Sequence, residues 1–141
     1  MKILFLLLCV LISATINAKT IHKIEKPDYV GIYNETLEIA SVKTTEEATT
    51  VTFQYGGKGI SFLDNDICLV DETGKRHELI GQKGFTVDSL KRLVPKKKGK
   101  YELQFEALPA DCHIFDIIED LYDTSTRYYG VRQAGNTFTV S

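Results

Sequence analysis

Alternation of apolar and polar residues with a period of two dominates the chain. From Tyr101 to Leu108, Tyr101, Leu103, Phe105 and Ala107 share one face, while Glu102, Gln104 and Glu106 share the other. That is the pattern of a strand with one buried and one wet face. Ala48 to Tyr55 repeats it, with Val51, Phe53 and Tyr55 inward and Thr50, Thr52 and Gln54 outward. Thr36 to Val42, built on Leu37 and Ile39, is a weaker example, and Ile67 to Asp71 is apolar on both faces, as a central strand would be. Asp71-Glu72-Thr73-Gly74-Lys75 predicts a turn with Gly74 at positive φ, so that His77 to Ile80 returns as the second arm of a hairpin. Thr126 to Arg132 and Thr137 to Val140 complete the predicted strands. Val87 to Val94 and Ile114 to Leu121 fit either a strand or a helix, because their apolar residues also recur at helical spacing. Short strands separated by turns predict an all-β domain, a two-sheet antiparallel sandwich whose apolar faces cover each other.

The N-terminus departs from this pattern. Lys2 precedes a continuous apolar run from Ile3 to Ile12, followed by the small and polar residues Ser13 to Ala18. This order predicts a signal peptide over residues 1–18, cleaved after Ala18, and hence a periplasmic or secreted protein. The run is too short to cross a bilayer, which takes about 20 residues, so no stable membrane span is expected after cleavage. Lys19 to Asp28 is polar and contains Pro27, and predicts an extended, loosely held entry that either caps one edge of the sheet or reaches a neighbouring molecule. The expected organisation is therefore an extended segment over 19–35 and a β-sandwich domain over 36–141. With 17 basic and 19 acidic side chains, the formal charge is −2. Such a balance gives no electrostatic footprint for nucleic acid. Beyond the predicted leader, Cys68 and Cys112 remain, and in an oxidising compartment they allow one disulfide.

Candidate chemistry is sparse. Cys112 and His113 suggest a nucleophile and base, but neighbours on a strand point to opposite faces. Cys68, His77, Cys112 and His113 lack the close paired spacing of zinc motifs. Asp64, Asp66, Asp71 and Glu72 surround the Ile67 strand and could hold Ca²⁺, without the ligand order of an EF-hand. Lys96, Lys97, Lys98 and Lys100 around Gly99 read as a solvated turn, and Gly56-Gly57-Lys58-Gly59 lacks the full phosphate-loop pattern. Asn34-Glu35-Thr36 matches a glycosylation acceptor. No Cys-x-x-Cys, HExxH or Gly-x-Ser-x-Gly occurs. The expectation is a protein with no catalytic residue, cofactor or metal.

The stretch from Leu37 to Val131 resembles a family of bacterial envelope domains with an immunoglobulin-like sandwich, often found in front of thioredoxin-like domains. The resemblance rests on Val70-Asp71-Glu72-Thr73-Gly74-Lys75-Arg76-His77-Glu78-Leu79, on Tyr101 to Pro109, on Phe115-Asp116-Ile117-Ile118-Glu119 and on Tyr128-Tyr129-Gly130-Val131. It favours a strand over Ile114 to Leu121, with Asp116 and Glu119 fixing a bend near the Leu108-Pro109 turn. The sequence stops where a thioredoxin-like domain would begin and has no redox dithiol, so redox activity does not carry over. The tryptophan of true immunoglobulin domains is missing as well. Together these features lead to the expectation of a non-enzymatic accessory module that contacts another envelope protein. The alternative is a small-ligand or carbohydrate-binding module using Tyr33, Tyr122, Tyr128 and Tyr129 as exposed aromatics.

Overall fold

The structure is a computed structural model, and it describes residues 19–32, 36–59, 61–119 and 126–135. The predicted leader, Tyr33, Tyr122 and the 137–140 strand lie outside the described residues.

The chain is all-β. Its strands are β1 (Thr20–Glu25), β2 (Asp28–Ile32), β3 (Leu37–Thr45), β4 (Ala48–Tyr55), β5 (Cys68–Val70), β6 (Arg76–Lys83), β7 (Thr86–Val87), β8 (Leu93–Val94), β9 (Gly99–Glu106), β10 (Ile114–Ile118) and β11 (Arg127–Arg132). Nine form one curled sheet in the order β1-β3-β4-β9-β6-β5-β10-β11-β2, while β7 and β8 form a small second sheet. Every pairing is antiparallel. Among the described residues, no helix is long and apolar enough to cross a membrane.

The curl has a local cause in β6. Arg76 to Glu78 pair with β5, whereas Leu79 to Lys83 pair with β9, with a register shift between Leu79 and Gly81. An extra residue in one strand bends it and strengthens its twist. Gly81 sits at this irregularity, with the Gln104 side chain lying over its Cα. The two arms of the sheet then face each other. Tyr128 of β11 packs on Phe53 of β4 with ring centroids 5.7 Å apart, and its hydroxyl donates to the Leu37 carbonyl of β3 at 2.7 Å. Val51, Phe53, Leu103 and Phe105 are fully buried between the arms, where the alternation predicted them. At the end of β9 the inward residue is Leu108 rather than Ala107, because the strand stops at Glu106.

The N-terminal segment is extended and caps the sheet, as one of the two expectations had it, but it is held rather than loose. It supplies both terminal strands of the sheet, β1 on β3 and β2 on β11. Only Lys26 and Pro27 separate them, so three Cα steps, about 11 Å at most, span the corner where the ends of the curled sheet approach. Lys26 adopts a positive φ of 48° there and donates its amide to the Ala40 carbonyl. The polar composition reflects edge position, since edge strands keep one rim and much of their side-chain surface in water.

The two ambiguous segments are both extended. Ile114–Ile118 is β10, between β5 and β11. The 87–94 segment is a hairpin in which Asp88 accepts the amides of Leu90 and Arg92 and pairs with the Arg92 guanidinium at 2.7 Å. That local capping, together with the bridge from Leu93 to Leu63, outcompetes a helical turn.

Candidate functional site

Polar side chains gather at three places, two at the ends of β5 and one beside β1. At the C-terminal end of β5, Asp71 organises the predicted turn. Its Oδ1 accepts the Thr73 hydroxyl at 2.6 Å and the amides of Thr73 and Lys75, and its Oδ2 pairs with His77 Nε2 at 2.9 Å. These bonds, the Thr73 hydroxyl first and then His77, hold the Asp71 carboxyl well below its ordinary range. Gly74 takes φ 85° as predicted.

At the other end of β5, Glu119 is 1 % exposed. Its carboxylate accepts the Asp64 amide and, at 2.7 Å, the Thr126 amide, so one side chain clasps the loop before β5 to the start of β11. Burial pushes this carboxyl up to about 7, and the bonds from the Asp64 amide and from the Thr126 hydroxyl and amide only partly oppose that. Oxygen atoms of Asp64, Asp66 and Glu119 lie within 4.8 Å of one another, a set that suits a hard cation.

The acids around β5 therefore divide. Asp71 and Glu72 lie at one end of the strand, Asp64 and Asp66 at the other. Sequence reading missed the grouping of Glu119 with the latter pair, since no local spacing connects residues 64 and 119. Neither Asp116 nor Glu119 fixes a bend near Leu108-Pro109 as expected. Asp116 accepts the Gly130 amide at 2.8 Å, because β10 runs away from that turn.

The third cluster lines a cleft of about 90 Å³ between β1 and the 109–113 turn. His22 Nε2 bonds the Ala110 carbonyl, and the His22 and His113 rings meet edge-on with centroids 5.4 Å apart. The turn is pinned from outside by Glu72, whose carboxylate accepts the His113 amide at 2.8 Å. Cys112 lines the same cleft and donates its thiol to the Ile114 carbonyl at 3.3 Å; burial pushes that thiol above its ordinary value.

No disulfide joins Cys68 and Cys112. Cys68 pairs with Ile118 at the far end of β10 from Cys112. At about 3.3 Å per strand residue the two Cα atoms sit well beyond the roughly 7 Å that a bridge tolerates. His77 is buried beside Asp71, so the four residues weighed for zinc divide between separate places. Tyr128 is 1 % exposed and belongs to the core, which removes it from any surface; Tyr129 is 38 % exposed and lies opposite Val30. The 96–100 lysines form a turn stapled by the Tyr101 hydroxyl, which donates to the Lys97 carbonyl and accepts its amide. Comparison with protein-family models, characterised proteins and solved structures returned no match.

Proposed function

We propose that this chain is an exported, non-enzymatic β domain that works by contact with another envelope protein, and that its curled sheet amounts to an immunoglobulin-like sandwich. One observation carries the interaction reading. A single short stretch, residues 20–32, builds both terminal strands of the sheet, β1 and β2. Terminal strands present a rim of backbone donors and acceptors that a partner strand can use. Ile21 and Val30, both exposed, place apolar surface on those same strands. The passage of β6 from one arm to the other supports the sandwich reading, and the leader-like pattern from Lys2 to Ala18 supports export. A structural use of the polar groups fits a binding role, since Asp71, Glu72 and Glu119 spend their carboxylates on backbone amides.

A photo-crosslinking residue placed at Ile21 in cells is expected to give one discrete adduct with an envelope protein. The same residue at Val87, exposed on the small second sheet, should give none. Equal labelling from both positions, or no adduct from Ile21, overturns the interaction reading.

A further inference from the structure

We propose that one end of the curled sheet rests on a bilayer of anionic phospholipids, with Leu90 and Val87 entering the headgroup layer and the loop lysines around them meeting lipid phosphates. This goes beyond the interaction reading and does not rest on it.

Strand register brings the loops concerned to that one end. β4 finishes where β9 starts, since Tyr55 lies opposite Gly99, and β6 finishes beside them, since Lys83 lies opposite Glu102. The loop after β4 and the hairpin after β6 therefore both begin there, next to the turn that enters β9. Their contacts are direct. Leu63 and Leu93 exchange backbone bonds at 2.8 and 2.7 Å, the Arg92 guanidinium lies 4.3 Å from the centre of the Phe62 ring, and Gly57 packs against Lys98. The Tyr101 ring meets Phe85, at the foot of the hairpin, with centroids 4.9 Å apart, and its hydroxyl accepts the Lys97 amide at 3.0 Å.

Positive charge is concentrated on these loops. Lys58, Lys91, Lys96, Lys97 and Lys98 are all exposed. In the sequence of residues 56–63 and 84–98 the single acid is Asp88, which the Arg92 guanidinium pairs at 2.7 Å. The chain as a whole has the opposite sign, with a formal charge of −2. The far end of the sheet mixes signs, with Glu46, Glu47 and Glu106 beside Lys75 and Arg76. An anionic bilayer attracts each lysine within a Debye length of its surface, about 8 Å at physiological salt, so the molecule is drawn to it by one end.

Charge alone suits any polyanion, and the apolar side chains single out a bilayer. Leu90, in the hairpin turn, is 69 % exposed and Val87 is 50 % exposed, with the half-stacked Phe62 beside them. Asp88 accepts the Leu90 and Arg92 amides, so the turn is preorganised. Lys91 takes φ 63°, a backbone state that favours glycine, which keeps a cation next to Leu90 at a conformational cost. Apolar side chains flanked by lysines match the bilayer interface, where alkyl groups reach the acyl boundary and long amines stay level with the phosphates. Sequence alone does not reveal this surface, because Lys58 and Phe62 join the 84–98 residues only through the strand register.

The test is sedimentation of the full chain with vesicles of phosphatidylcholine, alone or with phosphatidylglycerol added. The apolar run near the N-terminus carries no preference between the two, so the readout is the gain in affinity on the anionic vesicles. That gain should be roughly a hundredfold or more and should shrink as salt is raised. Lys97→Gln and Lys98→Gln should each reduce it about fivefold. Leu90→Ser should weaken binding to the anionic vesicles about tenfold. Lys91→Gly should weaken binding while leaving the melting temperature at or above that of the parent, because glycine suits the positive φ. Lys75→Gln, at the far end, should change nothing. No preference for the anionic vesicles, or a preference reduced as much by Lys75→Gln as by Lys97→Gln, overturns the proposal. Binding indifferent to Leu90→Ser overturns it as well and assigns the lysines to an acidic protein or another polyanion.

Discussion

The two ends of β5 carry the same chemistry with opposite electrostatic outcomes. Asp71 and Glu119 are both buried carboxylates that accept backbone amides, yet Asp71 titrates below its ordinary value and Glu119 above. Asp71 collects the Thr73 hydroxyl, the amides of Thr73 and Lys75 and the His77 imidazole, all from the hairpin it begins. Glu119 collects the Asp64 amide from across the fold and the Thr126 hydroxyl and amide from seven residues on, and sits in a drier place, with the Asp64 carboxyl beside it. Burial alone therefore does not set the sign. The number of donors aimed at a carboxylate, weighed against its desolvation, does.

The largest effect that sharpens this contrast is expected from Glu119→Leu. It leaves the Asp64 and Thr126 amides without their carboxylate acceptor in a buried site, at about 1–3 kcal/mol each, so urea unfolding should show a loss on the order of 3 kcal/mol. A loss below about 0.5 kcal/mol, the size of an ordinary surface change, would mean that Glu119 is no clasp.

The pH dependence comes next. With its folded pKa raised from 4.5 to about 7, Glu119 binds more protons in the folded state than in the unfolded chain across that window. Its contribution to stability is complete below pH 4.5 and is lost as pH rises through 7, on the order of 2 kcal/mol. Glu119→Gln should flatten this slope in urea titrations run from pH 4.5 to 7.5; an unchanged slope would place the titration elsewhere.

Asp71 should give the smaller effect, with the opposite sign. Its depressed pKa stabilises the fold above the ordinary 3.8, and that stabilisation is lost as pH falls further toward the folded value. Asp71→Asn should therefore lower the urea midpoint at pH 6 and make it less sensitive to acid below pH 4. Thr73 and Lys75 are exposed, so water replaces part of what the carboxylate supplied, which is why the loss stays modest. A variant as acid-sensitive as the parent would sink the assignment.

The same contrast separates what was legible in the sequence from what was not. The Asp71 turn was legible because all its partners lie within a few residues and Gly74 marks the positive φ. β4 and β9 were legible for a similar reason, since their inward residues repeat at the strand period. Glu119 was legible only as an acid at the end of an apolar run. The positions whose amides it holds, 64 and 126, have no pattern that refers to it. The N-terminal segment was legible as an extended piece that could cap an edge, but its polar residues suit an edge strand as well as a loose tail, and nothing in them showed that it would cover both edges. The disulfide misled because two cysteines in a β domain carry no register, and register is what put Cys68 opposite Ile118. Tyr128 misled because alternation assigns a face without saying whether another arm of the sheet will cover it.

By itself the sequence determined that the chain is β-rich, where several strands and the β5–β6 turn lie, and which faces of β4 and β9 turn inward, because these follow from side-chain alternation and from local backbone preferences. Only the tertiary structure decided that residues 20–32 form both sheet edges, that Glu119 reaches the Asp64 loop, and that His22 lies against His113. Each of those depends on the order and register of strands around the curled sheet, and packing of the two arms on each other selects that order, not any local run of residues.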